Sequence, residues 1–235
     1  MDSRKIAIAA GVLYLVTHVT SIGGLVLYGP VLNSPDYIVG SGPDTRVLLG
    51  AFLEVILALA IVGTAVTLFP VVKRQNEGIA LGYVGLRTLE ASIITVGIVS
   101  LLAVVTLRQH LAESAGTDVA SLVTVGKALV AVHDWTFLVG PNFVLGTNTV
   151  LLAYLMYRSG LVPRFIAVLG LVGGPLIFAS AIAELFGLYK QVSVWGAVTA
   201  VPVFAWELTL AIWLIAKGFK PSAGAMDAAA PSRGG

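Results

Sequence analysis

No cysteine occurs among the 235 residues, which excludes disulfides, thiolate metal sites and cysteine nucleophiles and leaves the redox compartment unreadable. Charge is nearly as scarce. Only 11% of residues are Asp, Glu, Lys or Arg, against about 25% in an ordinary soluble domain. A chain so poorly charged and 57% hydrophobic does not carry the surface of a water-soluble globule. The formal net charge of +2 is too small to point to nucleic acid as a partner. Histidine is limited to His18, His110 and His133, on separate elements and never at the i, i+4 spacing of a helical zinc site, so no metal site is predicted. No nucleophile elbow, phosphate-binding loop or nucleotide fingerprint is present. The sequence therefore offers no catalytic residue, calls for no cofactor, and weighs against an enzyme.

What it offers instead is long apolar runs, with a mean hydropathy of +0.96. Crossing about 30 Å of hydrocarbon at about 1.5 Å per residue takes about 20 residues. Six runs are long enough: 6–28, 47–72, 79–107, 135–157, 165–189 and 191–216. They are continuous and not alternating, so the predicted fold is all-α, an integral membrane six-helix transmembrane bundle in the lipid bilayer, and not a β-barrel. The first run has no small-residue cleavage site at a plausible place and reads as a retained helix. One transmembrane domain is expected over residues 1–220, and residues 221–235, mostly Ala, Gly, Ser and Pro, are expected to be a disordered tail.

Basic residues set the direction, because cytoplasmic connections are enriched in Lys and Arg. With both termini cytoplasmic, nine fall inside (Arg4, Lys5, Lys73, Arg74, Arg158, Arg164, Lys217, Lys220, Arg233) and three outside (Arg46, Arg108, Lys190). The difficult stretch is 118–157, about 40 residues that could hold two spans. Thr117-Asp118 looks like a helix start and Gly140-Pro141 like a break, but crossing twice would invert everything downstream and leave five inside against seven outside, so the segment 118–134 is predicted to be an interfacial outer helix leading into span four. The connection 29–46, with Asn33, Pro35, Asp36 and Pro43, is predicted to be a non-helical outer loop that can fold over the bundle.

Several stretches carry a resemblance. They are Pro70-Val-Val-Lys-Arg-Gln-Asn-Glu-Gly-Ile-Ala-Leu-Gly-Tyr-Val-Gly-Leu86, the following Arg87-Thr88-Leu89-Glu90, the triplet His133-Asp134-Trp135, and Tyr157-Arg158-Ser159-Gly160-Leu161-Val162-Pro163-Arg164. In this order they resemble the bacterial membrane family catalogued as domain of unknown function 4386, over about Ile6 to about Lys217. The resemblance implies a bacterial cytoplasmic (inner) membrane protein of about six spans, and it implies no activity.

An ionisable side chain at mid-bilayer costs about 2.5 to 3.5 kcal/mol, so each one inside a span asks for a reason. His18, Arg87, Glu90 and Glu207 fall near the midplane, Glu54 in the outer half, and His133, Asp134 and Glu184 near the outer boundary. Gly11, Tyr14, His18 and Ser21 share one helical face, and Tyr83, Arg87 and Glu90 another; both faces should turn away from lipid. Arg87 can pair with Glu90 at i+3 or reach Glu54 or Glu207 on other spans, either as a structural lock or as a substrate contact. Five carboxylates, Glu54, Glu90, Asp134, Glu184 and Glu207, face one Arg and two His, and cannot all be ionised without water or a cation. His133-Asp134-Trp135 reads either as an interfacial anchor or as part of a ligand site, and Asn142 and Asn148 as interhelical hydrogen-bonding groups. Gly170 and Gly174 are predicted at a close helix crossing.

Two functions fit. One is an ion- or small-molecule-handling protein whose ligand candidates are His18, Glu54, Arg87, Glu90, Glu207, His133 and Asp134. The other is a non-catalytic scaffold or regulatory protein whose buried charges fix helix pairing. Either leaves a homo-oligomer open.

Overall fold

The computed structural model describes residues 2–34, 36–40, 43–113 and 118–220. The tail expected to be disordered, 221–235, lies outside them. Each helix begins and ends where the sequence supplies a reason. Helix α1 (Ser3–Leu27) starts at Asp2, whose carboxylate accepts from the Arg4 amide at 3.1 Å. After a short α2 (Gly29–Asn33) comes α3 (Thr45–Val72). Helix α4 (Glu77–Glu113) is capped by Asn76, which accepts from the Ile79 amide at 2.9 Å. Helix α5 (Val119–Leu138) starts at Asp118, and α6 (Leu145–Ser159) stops at Gly160, whose φ of 64° suits a residue without Cβ. Helix α7 (Arg164–Leu185) follows Pro163, and α8 (Val194–Ala216) is capped by Ser193. At its far end the Arg4 guanidinium donates to the carbonyls of Leu214 (3.2 Å) and Ile215 (2.7 Å), a cation at the negative end of the helix dipole.

Six helical stretches are long and apolar enough to cross a membrane: α1, α3, α4, the run from α5 through α6, α7 and α8. They form a closed ring in which α1 lies between α8 and α3, α3 packs on α4, α4 on α5 and α6, α6 on α7, and α7 on α8. Among the described residues there is no strand. The ring has two unlike ends. Its basic end carries the first and last described residues, 2 and 220, together with Arg4, Lys5, Lys73, Arg74, Arg158, Arg164, Lys217 and Lys220; its loop end carries the α1–α3 and α7–α8 connections, the end of α4 and the start of α5.

Two features differ from the sequence expectation. Gly140-Pro141 does not break the chain: α5 runs through a π-helical turn (Val139–Val144) into α6, making 41 continuous helical residues. Proline has no amide hydrogen to donate, and widening the ladder by one residue absorbs the defect without ending the helix. Segment 118–134 is thus helical and leads into span four, but as a continuous helical extension of it. At about 1.5 Å per residue, α4 is about 55 Å long and the α5–α6 run about 61 Å, so both outrun about 30 Å of hydrocarbon and lie side by side at the loop end. The second difference is connection 29–46, which holds α2 and a single 3-10 turn (Tyr37–Val39) where no helix was expected. Pro30 at the start of α2 accounts for the first, since its fixed φ suits an opening helical turn. Ile38 from this connection packs on Gly126 of α5.

Packing divides the same way. Toward the basic end the ring is filled by Tyr14, Leu68, Tyr83, Leu152, Met156, Ile166 and Trp206, interleaved with fully buried Ala7, Ala65, Ala80, Ala153 and Ala211. A second cluster, built on Tyr28, Ile38, Val47, Ile61, Ile98 and Leu101, fills the α1–α3–α4 side toward the loop end. In α8 no residue from 194 to 202 is buried, whereas Trp206, Leu210, Ala211 and Leu214 are.

Candidate functional site

Between the two packed regions lies a cavity of about 260 Å³ to which all six spanning stretches contribute. Thr17, His18 and Ser21 come from α1; Glu54, Leu57 and Ile61 from α3; Arg87, Glu90, Ile94 and Gly97 from α4. The fourth run supplies His133, Thr136, Phe137, Pro141, Asn142 and Leu145, α7 supplies Ile177, and α8 Ala200, Val203, Phe204 and Glu207. The cavity therefore runs from the level of Arg87 and Glu207 toward the loop end.

Its floor is an ion-pair network. Arg87, 2% exposed, donates from Nη1 to Glu90 Oε2 (3.1 Å) and from Nη2 to Glu207 Oε1 (3.2 Å). Glu90 also accepts from Asn148 Nδ2 at 2.7 Å. The guanidinium lies 5.3 Å from the centre of the Tyr14 ring, and the Tyr14 and Tyr83 hydroxyls bond each other at 3.0 Å. Arg87 Nε is buried and unpaired. One guanidinium thus ties α4 to α8, and Asn148 extends the tie to α6. Breaking such a buried pair on one side costs about 3 to 5 kcal/mol, because a charge is stranded in a medium that cannot solvate it.

Above the floor the charges are less committed. His18 Nδ1 lies 2.7 Å from the Tyr14 carbonyl, which can only accept, so Nδ1 carries the hydrogen and Nε2 faces Glu207 Oε2 at 3.9 Å. That gap is too long for a hydrogen bond. The His18 ring also meets Phe204 edge-on at 4.8 Å. Across the cavity Glu54, 6% exposed, has His133 and the Tyr28 hydroxyl as its electrostatic neighbours, yet Tyr28 Oη closes no hydrogen bond. Gly24 makes room for it: a Cβ there would sit 2.9 Å from Glu54 Cγ. His133 meets the Tyr28 ring edge-on at 5.5 Å and stacks on Phe137 at 6.3 Å.

Of the seven ligand candidates read from the sequence, the structure brings six to this cavity and leaves one out. The Asp134 side chain is 64% exposed and borders a separate hollow with Lys127, Asn33 and Tyr37 under the α1–α3 connection. Its neighbour His133 is 4% exposed and turns its ring inward, with Nδ1 still 3.5 Å from Asp134 Oδ1. Glu184 belongs to a polar group of its own, accepting from Ser180 Oγ (2.8 Å) and Asn142 Nδ2 (3.1 Å). Gly170 and Gly174 stand at close crossings: a Cβ on Gly170 would lie 2.7 Å from Trp206, and one on Gly174 2.7 Å from the Gly146 carbonyl. Phe137, Phe204, Thr136 and Tyr28 were not singled out by sequence reasoning. Aromatic and hydroxyl residues are common in apolar runs, and nothing in their spacing separates a cavity wall from a lipid face.

A second buried arginine holds the loop end. Arg108 pairs with Asp44 and donates to the Gly40 carbonyl from Nε (3.3 Å) and Nη2 (3.1 Å), while its guanidinium covers the Tyr37 ring at 4.6 Å. Tyr37 Oη donates to Asp44 Oδ1 at 2.7 Å, and Gln109 Nε2 to Oδ2 at 3.1 Å. Burial pushes the Asp44 carboxyl up, but the hydrogen bonds from Tyr37, Gln109 and Arg108 and the Arg108 charge outweigh it and hold Asp44 below the usual carboxylate range. Burial, then the bond to Asp44 and its charge, push the Tyr37 hydroxyl up to about 12.

Residues 9–218 match the family described as domain of unknown function (DUF4386), and the chain belongs to it. No curated protein and no solved structure matches.

Proposed function

We propose that this membrane protein binds a small molecule or ion in the central cavity, entered from the loop end, and that the basic end faces the cytoplasm of a bacterial inner membrane. The observation that carries the reading is the meeting of Glu54, Glu207, His18 and His133, from four different spans, on one space within the bundle. Ionisable groups in a span are costly, and helix pairing alone needs each to have a partner. Arg87, Glu90 and Asn148 meet that need. Glu54 faces open volume, and the gap between His18 and Glu207 leaves both a free edge. The orientation rests on the basic residues gathered at one end. The bonded Arg87 floor is what favours the scaffold reading, in which every buried charge serves helix pairing only.

The complete lack of cysteine allows a direct test. Single substitutions Thr136→Cys and Ala200→Cys put a thiol on the cavity wall, and Leu155→Cys puts one in the packed basic half. A membrane-impermeant maleimide added from the outside should label the first two and spare the third. If neither cavity thiol is labelled in the folded protein, the interior is dry and the scaffold is the better account.

A further inference from the structure

The chemistry of the walls narrows the ligand, on the premise that the cavity does bind one. We propose that it takes a small organic cation: a protonated or quaternary amine carried on an apolar body about the size of one aromatic ring. Three carboxylates, Glu54, Glu90 and Glu207, border the space against the single fixed positive charge of Arg87, which is already bonded to two of them. An anion would meet no uncommitted fixed cation there. A neutral ligand would leave Glu54 without a fixed counter-charge, and Glu207 sharing the single charge of Arg87 with Glu90, in a low-dielectric interior.

A bare inorganic cation fits less well. Among the described residues no three His, Asp or Glu side chains converge on a point that a metal ion could occupy. Such an ion would keep most of its water in a space otherwise walled by Leu57, Ile61, Ile94, Leu145 and Ile177. An ammonium on an apolar body matches both surfaces. Its charge can rest between Glu54 and Glu207, and its body against the aliphatic wall. Two aromatic rings flank the same volume, Phe204 beside His18 and Phe137 beside His133, and an aromatic face attracts an organic cation that has lost its water. Size agrees. A cavity of about 150 Å³ accepts benzene, so about 260 Å³ holds one ring with a short chain and its head group.

The ring of helices also offers such a ligand a way in. Toward the loop end α1 leans on α3, with Gly23 against Leu53 and Gly24 against Glu54, while α8 leans on α7, with Gly173 against Pro202 and Val203 and Thr199 bonded to Ser180. Ser21 and Phe204 face the cavity from the two diverging helices, and Phe204 is 44% exposed. An amine with an apolar body partitions into the outer part of a bilayer, next to this seam.

The test uses the full chain in detergent and four probes of one size: 2-phenylethylamine, benzyltrimethylammonium, the neutral 2-phenylethanol and the anion phenylacetate. Calorimetric titration should show saturable binding of both cations at least about tenfold tighter than of the alcohol, with no binding of the anion. Glu54→Gln and Glu207→Gln should each weaken cation binding by about tenfold or more and leave the alcohol unchanged. Ala200→Trp, which fills the cavity without touching a charge, should abolish binding of every probe. Equal binding of alcohol and cations, preference for the anion, or cation binding that survives Ala200→Trp overturns the proposal. So does failure of both cations to bind while Thr136→Cys and Ala200→Cys are still labelled, a result that leaves the accessible cavity standing. Should a Glu variant fail to fold, the wild-type order of cation over alcohol over anion decides alone.

Discussion

The two ends of the bundle are built from the same kind of sequence and end up differently. At the basic end, fully buried alanines alternate with Tyr14, Leu152, Met156 and Trp206, and glycines bring backbones together, as where Gly146 meets Gly174. Toward the loop end α8 buries nothing over residues 194–202, and a cavity inside the ring is bordered by His18, Glu54, His133 and Glu207. Each end keeps one buried arginine. Arg87 ties spans to one another at the floor of the cavity, and Arg108 ties a connection to the end of α4. Small residues in apolar runs therefore close a bundle at one level, and at another level the same low-charge composition keeps it open around groups that are not all paired.

The sharpest way to break this contrast is Arg87→Leu. If the floor is dry, loss of the guanidinium strands Glu90 and Glu207 and should destabilise the bundle by about 3 to 5 kcal/mol. Adding Glu207→Gln should recover part of the loss, since it removes one stranded charge. Adding Glu54→Gln should recover little, because Arg87 does not bond Glu54. Thermal melting in detergent reads all three. A wild-type melt for Arg87→Leu alone would mean that cavity water reaches the floor and that the two ends do not differ in dryness.

How much of this was legible beforehand depends on the kind of signal. Six spans were legible because hydropathy over about 20 residues sums many small, same-signed terms. Residues that border the cavity stood out one by one, since an ionisable group in an apolar run is conspicuous: His18, Glu54, Arg87, Glu90 and Glu207 all lie on its wall. Pairing was not. Arg87 had three acids within plausible reach, and only the packing of α4 against α6 and α8 selects Glu90, Asn148 and Glu207. For Asp134 the sequence left an interfacial anchor and a ligand role open, because an apolar window cannot tell which side of a helix faces inward when its neighbour His133 is equally polar; the structure places it away from the cavity, its side chain 64% exposed. Gly140-Pro141 misled for a local reason: the dipeptide marks a turn in water, and inside a long helix the packing of Gly140 on Ile93 and one π-helical turn carry it through.

A milder probe adds one methyl group at each level. In Gly174→Ala the new Cβ would lie 2.7 Å from the Gly146 carbonyl oxygen, a backbone atom that moves only if α6 and α7 part, and the cost should be about 1 to 3 kcal/mol. In Gly24→Ala the nearest atom, at 2.9 Å, is Glu54 Cγ, a flexible side chain with the cavity beside it. It should cost less than about 1 kcal/mol. Gly85→Ala, with nothing within 4 Å, is the neutral control. Melting temperatures falling in the order Gly85→Ala, Gly24→Ala, Gly174→Ala would uphold the contrast. Equal losses at Gly24 and Gly174 would show that the loop half is packed as rigidly as the basic half.

The smallest effect concerns the latch that closes the loop end, and its sign follows from two opposite shifts. Asp44 is held below its usual range in the folded protein, so its contribution is fully present above the unfolded value of about 4 and is lost as pH falls through the lower folded value. Tyr37 is raised to about 12, so its contribution is present below the unfolded value of about 10 and is lost as pH rises through about 12. Between those limits Asp44 is ionised, Tyr37 is neutral, and both bond within the Arg108 group. Hydrogen exchange of residues 36–40 should therefore be slowest relative to the intrinsic rate between about pH 4 and pH 10 and speed up on either side, approaching about tenfold in the opening constant per pH unit within each transition. Amides of Leu152 to Met156, in the basic half, should show neither limb. Tyr37→Phe should erase the alkaline limb and keep the acid one, and Asp44→Asn should erase the acid limb. An acid limb that persists in Asp44→Asn would assign the opening to another carboxylate and remove the Arg108 latch from the account of how the loop end is held.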